Sequence, residues 1–476
     1  MDPQEFQHAA SLVVERIAAF LDNPERWRVL PDVRPGDIRH ALPDTPPVLG
    51  ESFDAILADF DRIIMPGTTH WNHPGFMAYF ATSASAAGVL AEALIAMVNV
   101  NAMVWRSGPA ATELEEVTLD WLRQMIGLPA GFDGVINDTA SSSTLYALAA
   151  AREMHADLRL REEGLAGRPE VPRMRIYCSQ EAHSSVDKAV ITLGFGLSGV
   201  RHIPTDDTYR MDVGALQAAI EEDKRNGIRP LAVVATVGTT STTAIDPVNE
   251  IADVCERENL WLHVDAAYGG SAAIIPEMRW VLDGSARAHS LVINPHKWMF
   301  VPIDCSVLYT TRPELLRGAF SLVPDYLVTA EAGVARNLMD YGVSLGRRFR
   351  ALKLWFVLRY FGTNRMADHL RRHIALAKEF EDWVRADHAF EVLAPRNFSV
   401  VVFRFRPPHV AGVELEALNT KILDAVNASG EVFLSHTKVR GQYAIRLAIG
   451  NLRTEHRHVA RAWELIRLNA SSLVEV

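Results

Sequence analysis

A chain of 476 residues is long enough for two or three domains and at least one large buried core, which excludes a peptide ligand or a small disulfide-stapled module. Hydrophobic residues at 49% against 22% charged exclude a disordered chain. With 48 basic and 58 acidic residues the net charge is −10, so no global positive field exists to hold nucleic acid or an anionic membrane, and small-molecule chemistry is expected instead.

Along the chain, Phe6, Ala10, Val13, Ile17 and Phe20 recur at helical spacing, which predicts a packing helix rather than a signal-peptide core. A Pro-rich connector around Leu42–Gly50 and a second helical segment, SFDAILADFDRII, complete an N-terminal arm over residues 1–85, too thin to hold a core alone. The apolar stretch Gly88–Trp105 carries Glu92, Asn99 and Asn101, so it reads as a buried helix or helix pair, not a membrane span. From about residue 130 short β-branched runs alternate with amphipathic helices, the pattern of a mainly parallel sheet covered on both faces. Seven strands are predicted: Gly134–Asn137, Arg173–Ser179, Val200–Pro204, Leu231–Val237, Trp261–Ala266, Leu291–Asn294 and Cys305–Tyr309. Helices are expected at Thr144–Leu160, Val213–Arg225 and Asn249–Asn259. This large α/β domain is placed at residues 86–362. A long charged helix from Met366, the strands FSVVVFRF and YAIRLAIG and a last helix predict a small α+β domain at 363–476. The three cysteines, Cys178, Cys255 and Cys305, form no CxxC pair; they argue against a disulfide framework or structural zinc and fit a reducing cytoplasm.

Ligands of open α/β sheets sit at the carboxyl ends of the strands, and several of those ends carry polar residues. The run Asn137-Asp138-Thr139-Ala140-Ser141-Ser142-Ser143-Thr144 enters a helix and suits a phosphate, or is an ordinary hydroxyl cap. His183 could stack on an aromatic ligand or move a proton, or be a hydrogen-bonded structural residue. Thr240 lies in a polar turn, GTTSTT. Asp265 ends an apolar run and needs a positive partner there, either an arginine or a ligand's protonated ring nitrogen. Lys297, between His296 and Trp298, is a surface lysine or an amine able to form a Schiff base. A phosphate cup, a stacking histidine, a carboxylate and an amine on neighbouring strand ends together match the requirements of pyridoxal phosphate.

The motifs DTASSSTL, AHSSVDKA, HVDAAYGG, NPHKW and LGRRFRALKLWFVLRYFG resemble the group II pyridoxal-phosphate-dependent decarboxylases, in particular the aromatic-L-amino-acid decarboxylase branch. The resemblance extends to HWNHPGFMAYFATS and RLAIGNLRTEHRHVARAWELI, and so covers nearly the whole chain. It implies a fold-type I, aspartate-aminotransferase-like large domain, an arm exchanged between subunits, a small C-terminal domain and a homodimer with active sites at its interface. Carried over motif by motif, Lys297 is the Schiff-base lysine, Asp265 the partner of the ring nitrogen, Ala267 a contact beneath the ring and His183 the stacking residue. Ala140, Ser141 and Asn294 hold the phosphate, with His296 nearby, and Thr240 lies by the ring substituents.

The resemblance further implies that Tyr326, on a lid from Ser321 to about Val343, protonates Cα with help from His183. Relatives with Phe at that position tend to be aldehyde synthases; Tyr326 predicts simple decarboxylation to an amine. Trp71, Tyr79, Phe80 and Thr82 match the substrate-side segment and suit an aromatic amino acid. Asn101 and Met103, in the stretch that reaches the neighbouring subunit, stand where animal relatives usually carry apolar Ile and Phe. Asn101 would hydrogen-bond a phenol or indole, or signal a different side chain. Gly346 favours tolerance of an indole. The competing readings are an aromatic aldehyde synthase, a decarboxylase of a non-aromatic amino acid, a non-catalytic cofactor-binding scaffold, and a metallohydrolase built on His263, Asp265 and His296. The expected site contains no metal.

Overall fold

The computed structural model describes residues 1–322, 331, 333–408 and 410–474. The chain forms two compact units: residues 82–375 with 394–400, and residues 1–81 with 376–393 and 401–476. Among the described residues no helix is long and apolar enough to cross a membrane.

The first unit is built on a seven-stranded sheet: β1 (Asp133–Asn137), β2 (Met174–Ser179), β3 (Val200–Ile203), β4 (Arg229–Thr236), β5 (Trp261–Asp265), β6 (Ser290–Ile293) and β7 (Ser306–Thr310). Their order is β1-β7-β6-β5-β4-β2-β3. Strands β2 to β6 pair in parallel, and β7 alone is reversed, antiparallel to both β1 and β6. The seven segments predicted from β-branched runs agree with these strands to within two residues at either end. Every residue of β5, β6 and β7 is buried, as a sheet covered on both faces requires.

The helix after β1 differs from its prediction: it runs Ala140–Glu153 rather than Thr144–Leu160. The hydroxyl run that looked like an approach to the helix is its first turn. The Ala-rich body, Ala147 and Ala149–Ala151, is buried because small side chains let the helix lie close across β4 to β7. Arg347 and Glu115 form an ion pair at 3.0 Å within this unit, both almost wholly buried, and the guanidinium also donates to the Ile136 carbonyl at 2.6 Å.

The other unit contains a four-stranded sheet in the order β10-β11-β9-β8: β8 (Phe390–Val392), β9 (Val400–Phe405), β10 (Ser435–Val439) and β11 (Gln442–Ala448). The helices Gly412–Ala428 and His456–Val474 pack with it around an apolar core. Residues 1–81, most of the arm expected over 1–85, group by their contacts with this C-terminal sheet. The reason is backbone pairing: Met77 N–H donates to the Phe433 carbonyl, Phe433 N–H to that of Gly75, and Ala448 N–H to that of Met77, each at 2.9 Å. Gly75 permits this approach, since a Cβ there would lie 2.0 Å from the Glu431 carbonyl oxygen. The short, half-polar strands β8 and β10 were not predicted.

Removing one half of a buried ion pair leaves an uncompensated charge. Glu115→Leu is therefore expected to lower unfolding stability by about 3 kcal/mol in denaturant titration, and Glu115→Leu with Arg347→Met to recover much of that loss.

Candidate active site

Parallel pairing sends the carboxyl ends of β2, β4, β5 and β6 to one edge of the sheet. At the end of β5, the buried Asp265 accepts the Ala267 N–H at 3.1 Å. The Ala267 carbonyl in turn accepts the Asn294 N–H at 3.1 Å, which joins the ends of β5 and β6. Asn294 leads into a one-turn helix, Pro295–Trp298, that carries Lys297. Trp298 anchors this turn in the core: its fully buried indole stacks on Tyr268 at 4.8 Å and donates to His373 Nδ1 at 3.0 Å.

His296 is buried and accepts the Cys305 N–H on Nδ1 at 2.9 Å, while Nε2 lies 3.5 Å from the Asn294 amide. Burial brings its pKa down to about 4, so the ring is neutral near pH 7. His183, just beyond β2, accepts the Ser185 N–H on Nδ1 at 3.1 Å, which leaves the proton of the neutral ring on Nε2. Loss of solvation lowers its pKa, the Asp265 carboxylate opposes that shift and the Lys297 charge adds to it. His183, Asp265 and Lys297 therefore share one electrostatic neighbourhood.

On the β1 side, Asn137 donates to Ser143 Oγ at 3.1 Å and Ser143 meets Ser306 at 3.0 Å, which seats the start of the helix Ala140–Glu153 against β7. Ala140 is half-buried and Ser141 exposed in its first turn, where backbone N–H groups have no partner within the helix. At the end of β4, the carboxylate of Asp246 accepts the Thr236 and Met211 N–H groups, both at 2.8 Å. Gly238, at φ +94°, then turns the chain towards an exposed Thr240.

The expected substrate residues separate between the units. Trp71 stacks on Phe76 at 4.3 Å and on Tyr79 at 5.9 Å, and Arg446 covers Phe80 at 4.7 Å, all within the unit that holds residues 1–81. Thr82, half-buried, begins the other unit. There Asn101, Met103 and Gly346 come together: Asn101 Oδ1 accepts the Arg347 N–H at 2.9 Å and its Nδ2 lies 3.4 Å from Met103 Sδ. A Cβ on Gly346 would sit 3.8 Å from the same Nδ2. Asn101 is thus already engaged in tying two segments together. Tyr326 falls on residues 323–330, outside those described.

The metal-site alternative fails on geometry. Both ring nitrogens of His263 have protein partners, Ser290 Oγ at 2.8 Å and Thr144 Oγ1 at 3.4 Å, and His296 Nδ1 is spent on a backbone amide. Residues overlooked in the sequence are Ser179, Thr236, Arg347 and His373. The first two had a readable signal, a hydroxyl ending an apolar strand; the others become visible only through their partners.

A profile of the pyridoxal-dependent decarboxylase conserved domain matches residues 35–406. The chain belongs to this family. The decarboxylase is 42% identical to tryptophan decarboxylase TDC1 of Camptotheca acuminata, over all of this chain and 95% of that protein. It is 38% identical to phenylacetaldehyde synthase of Petunia hybrida, over all of this chain and 96% of the relative. Among solved structures, an Oryza sativa TDC with PLP and tryptamine superposes with a TM-score of 0.95 at 37% identity, covering 99% of both chains. The mainly parallel seven-stranded sheet is that of fold-type I, and the enzyme is a pyridoxal-phosphate-dependent amino-acid decarboxylase.

The residues present fit this cofactor. Ser179 Oγ, Thr236 Oγ1 and Asn294 Oδ1 are buried polar atoms without a protein partner, and they end or follow β2, β4 and β6. Each would cost about 1–3 kcal/mol if left unsatisfied, so a polar ligand along this edge accounts for all three.

The neutral histidines also set the pH response. His73, His263 and His296 are all brought down to about 4, whereas an unfolded histidine titrates near ~6.5. Unfolding therefore takes up protons between these values, and stability falls as pH drops through that window. Asp246, raised to about 6, works in the opposite sense but is outnumbered. Calorimetric unfolding is expected to show net proton uptake at pH 5.5 and a lower transition temperature than at pH 7.

Proposed function

We propose that the enzyme decarboxylates an aromatic L-amino acid, releasing carbon dioxide and the arylalkylamine, in a cytoplasmic homodimer with active sites at the subunit interface. The observation that carries the reading is the grouping of Lys297, Asp265 and His183 at one sheet edge beside three buried polar atoms that call for a ligand.

Lys297 would hold the cofactor through its amine. Asp265, oriented by the Ala267 N–H, would keep the ring nitrogen protonated, with Ala267 beneath the ring and His183 over it. The first-turn N–H groups at Ala140 and Ser141, with Asn294 and nearby His296, would take the phosphate, because a helix N-terminus favours an anion. Thr240 would lie by the ring substituents. When bound, pyridoxal phosphate supplies the electron sink that accepts the pair left on Cα as carbon dioxide departs. Tyr326 would return a proton to Cα, and His183, whose Nε2 carries the proton of the neutral ring, would assist.

Trp71, Tyr79 and Phe80, with Thr82, offer the aromatic surface that suits a flat substrate ring. Gly346, with no atom crowding its Cβ position closer than 3.8 Å, leaves room for an indole, and the likeness to a tryptophan decarboxylase supports tryptophan among the substrates. Asn101 and Met103, which lie beside Gly346 in the same chain, would help shape the pocket together with it where this stretch reaches the neighbouring subunit. For the dimer, the helix Ala86–Val98 leaves Leu90, Leu94, Met97 and Val98 exposed as an apolar stripe, in keeping with cover by a second copy. The cytoplasmic setting is supported by three cysteines that are all free and buried. The second reading, an aldehyde synthase, is favoured by the likeness to phenylacetaldehyde synthase; Tyr326 weighs against it.

Purified enzyme with tryptophan, tyrosine, phenylalanine, DOPA and 5-hydroxytryptophan is expected to yield amines without stoichiometric hydrogen peroxide; aldehyde with peroxide would establish the second reading. Lys297→Ala should abolish turnover, and Tyr326→Phe should divert product towards aldehyde. Gly346→Ser is expected to lower kcat/KM for tryptophan relative to tyrosine by about tenfold, the scale of a group added to a fitted pocket.

A further inference from the structure

Alternation along β5 puts Trp261, His263 and Asp265 on one face of the strand. Asp265 is the group that would meet the ring nitrogen. His263, two residues earlier and with no exposed surface, has no role in the mechanism above. Its hydrogen bonds are nevertheless specific. Nδ1 lies 2.8 Å from Ser290 Oγ, at the start of β6 and directly across the ladder from His263. Ser290 Oγ also accepts the Trp261 Nε1–H at 2.9 Å, so the hydroxyl is held from two sides. Nε2 lies 3.4 Å from Thr144 Oγ1, on the helix Ala140–Glu153.

Each of those partners sits on an element that carries a cofactor anchor. Thr144 falls three and four residues after Ser141 and Ala140, hence on the same face of their helix, one turn in from the phosphate end. Ser290 opens the strand that runs on to Asn294 and Lys297. His263 itself shares a strand face with Asp265. One buried imidazole therefore contacts the helix, the strand and the ladder partner that bear the phosphate, ring-nitrogen and lysine groups. Burial keeps that imidazole neutral, with a pKa of about 4. It therefore adds no positive charge to compete for the Asp265 carboxylate.

We infer that His263 is a positioning residue for the cofactor: through Ser290 and Thr144 it holds the phosphate helix, the Asp265 strand and the Lys297 strand at the mutual spacing that pyridoxal phosphate requires. The inference rests on the proposed anchoring roles of Asp265, Ala140 and Ser141. A purely structural histidine would lower stability without changing affinity in the protein that remains folded. A positioning histidine changes both the dissociation constant of the cofactor and the pH midpoint of its visible absorption band.

The test uses full-length apoprotein of His263→Leu, His263→Gln, Thr144→Val and Asp265→Asn, checked by circular dichroism and titrated with pyridoxal phosphate. His263→Leu is expected to weaken binding by about tenfold, the lower end of the range known for partners that orient a ligand-binding group, and to shift the midpoint of the band. Thr144→Val, which removes one arm, should weaken binding to a smaller extent than His263→Leu. His263→Gln, which keeps a polar group near the Nε2 position, should recover part of the affinity. Folded His263→Leu with parental affinity and midpoint overturns the inference. If His263→Leu does not fold, Thr144→Val decides, and parental affinity there overturns it equally. Asp265→Asn separates the two levels: a parental band and affinity in that variant would remove the anchoring role of Asp265 on which the inference stands. A changed Asp265→Asn beside an unchanged His263→Leu would leave that role intact and reject only the positioning role of His263.

Discussion

A carboxylate at the end of a strand that has no exposed residue is the constraint around which the rest of this site is arranged. Asp265 is buried between β4 and β6 and accepts the Ala267 N–H. Burying such a group is costly unless a cation or several donors face it. A protonated pyridine nitrogen would meet that need, and a residue unfavourable to folding alone would then serve the holoenzyme. The parallel sheet supplies the second half of the arrangement, because it directs the ends of β2, β4, β5 and β6 to one edge and so collects groups that lie far apart in the chain.

The surroundings keep histidine neutral rather than cationic. His296 spends one ring nitrogen on the Cys305 amide, His183 spends one on the Ser185 amide, and His263 uses both on hydroxyl groups. In the site proposed here, with Asp265 facing a ring nitrogen, additional cations would screen that interaction. Neutral imidazoles give orientation and stacking surface without that competition. The charged groups nearby are instead paired in their own networks, as in Arg347 with Glu115 and in Lys353 with Glu92 at 2.5 Å.

The turn bearing Lys297 shows how packing holds a candidate residue in place. A lysine on a one-turn helix has little secondary structure to hold it, and the position is secured by its neighbour Trp298, locked between Tyr268 and His373. Close backbone approach does similar work around it. Gly269 comes within hydrogen-bonding range of the Val237 carbonyl, 3.2 Å, and a Cβ there would stand only 2.5 Å from that oxygen. These contacts draw the loops after β4 and β5 together at the edge of the site.

Much of this was legible in the residues themselves. Periodicity located all seven strands of the large sheet, because a strand buried on both faces leaves a continuous apolar run with a sharp polar end. The same polar ends marked Asp265, His183 and Lys297 as candidates. What the linear pattern did not hold was the pairing of distant atoms. The sequence marks Asn101 as an unusual polar residue in an apolar stretch; only the folded chain spends its amide on the Arg347 backbone. The first 81 residues look too thin for a core, and only the ladder contacts of residues 75–77 reveal that they are completed by the C-terminal sheet. Local order in the chain depends on short-range spacing and is written in the sequence. Which buried hydroxyl meets which imidazole depends on three-dimensional proximity between strands and helices, and the tertiary structure alone decided that.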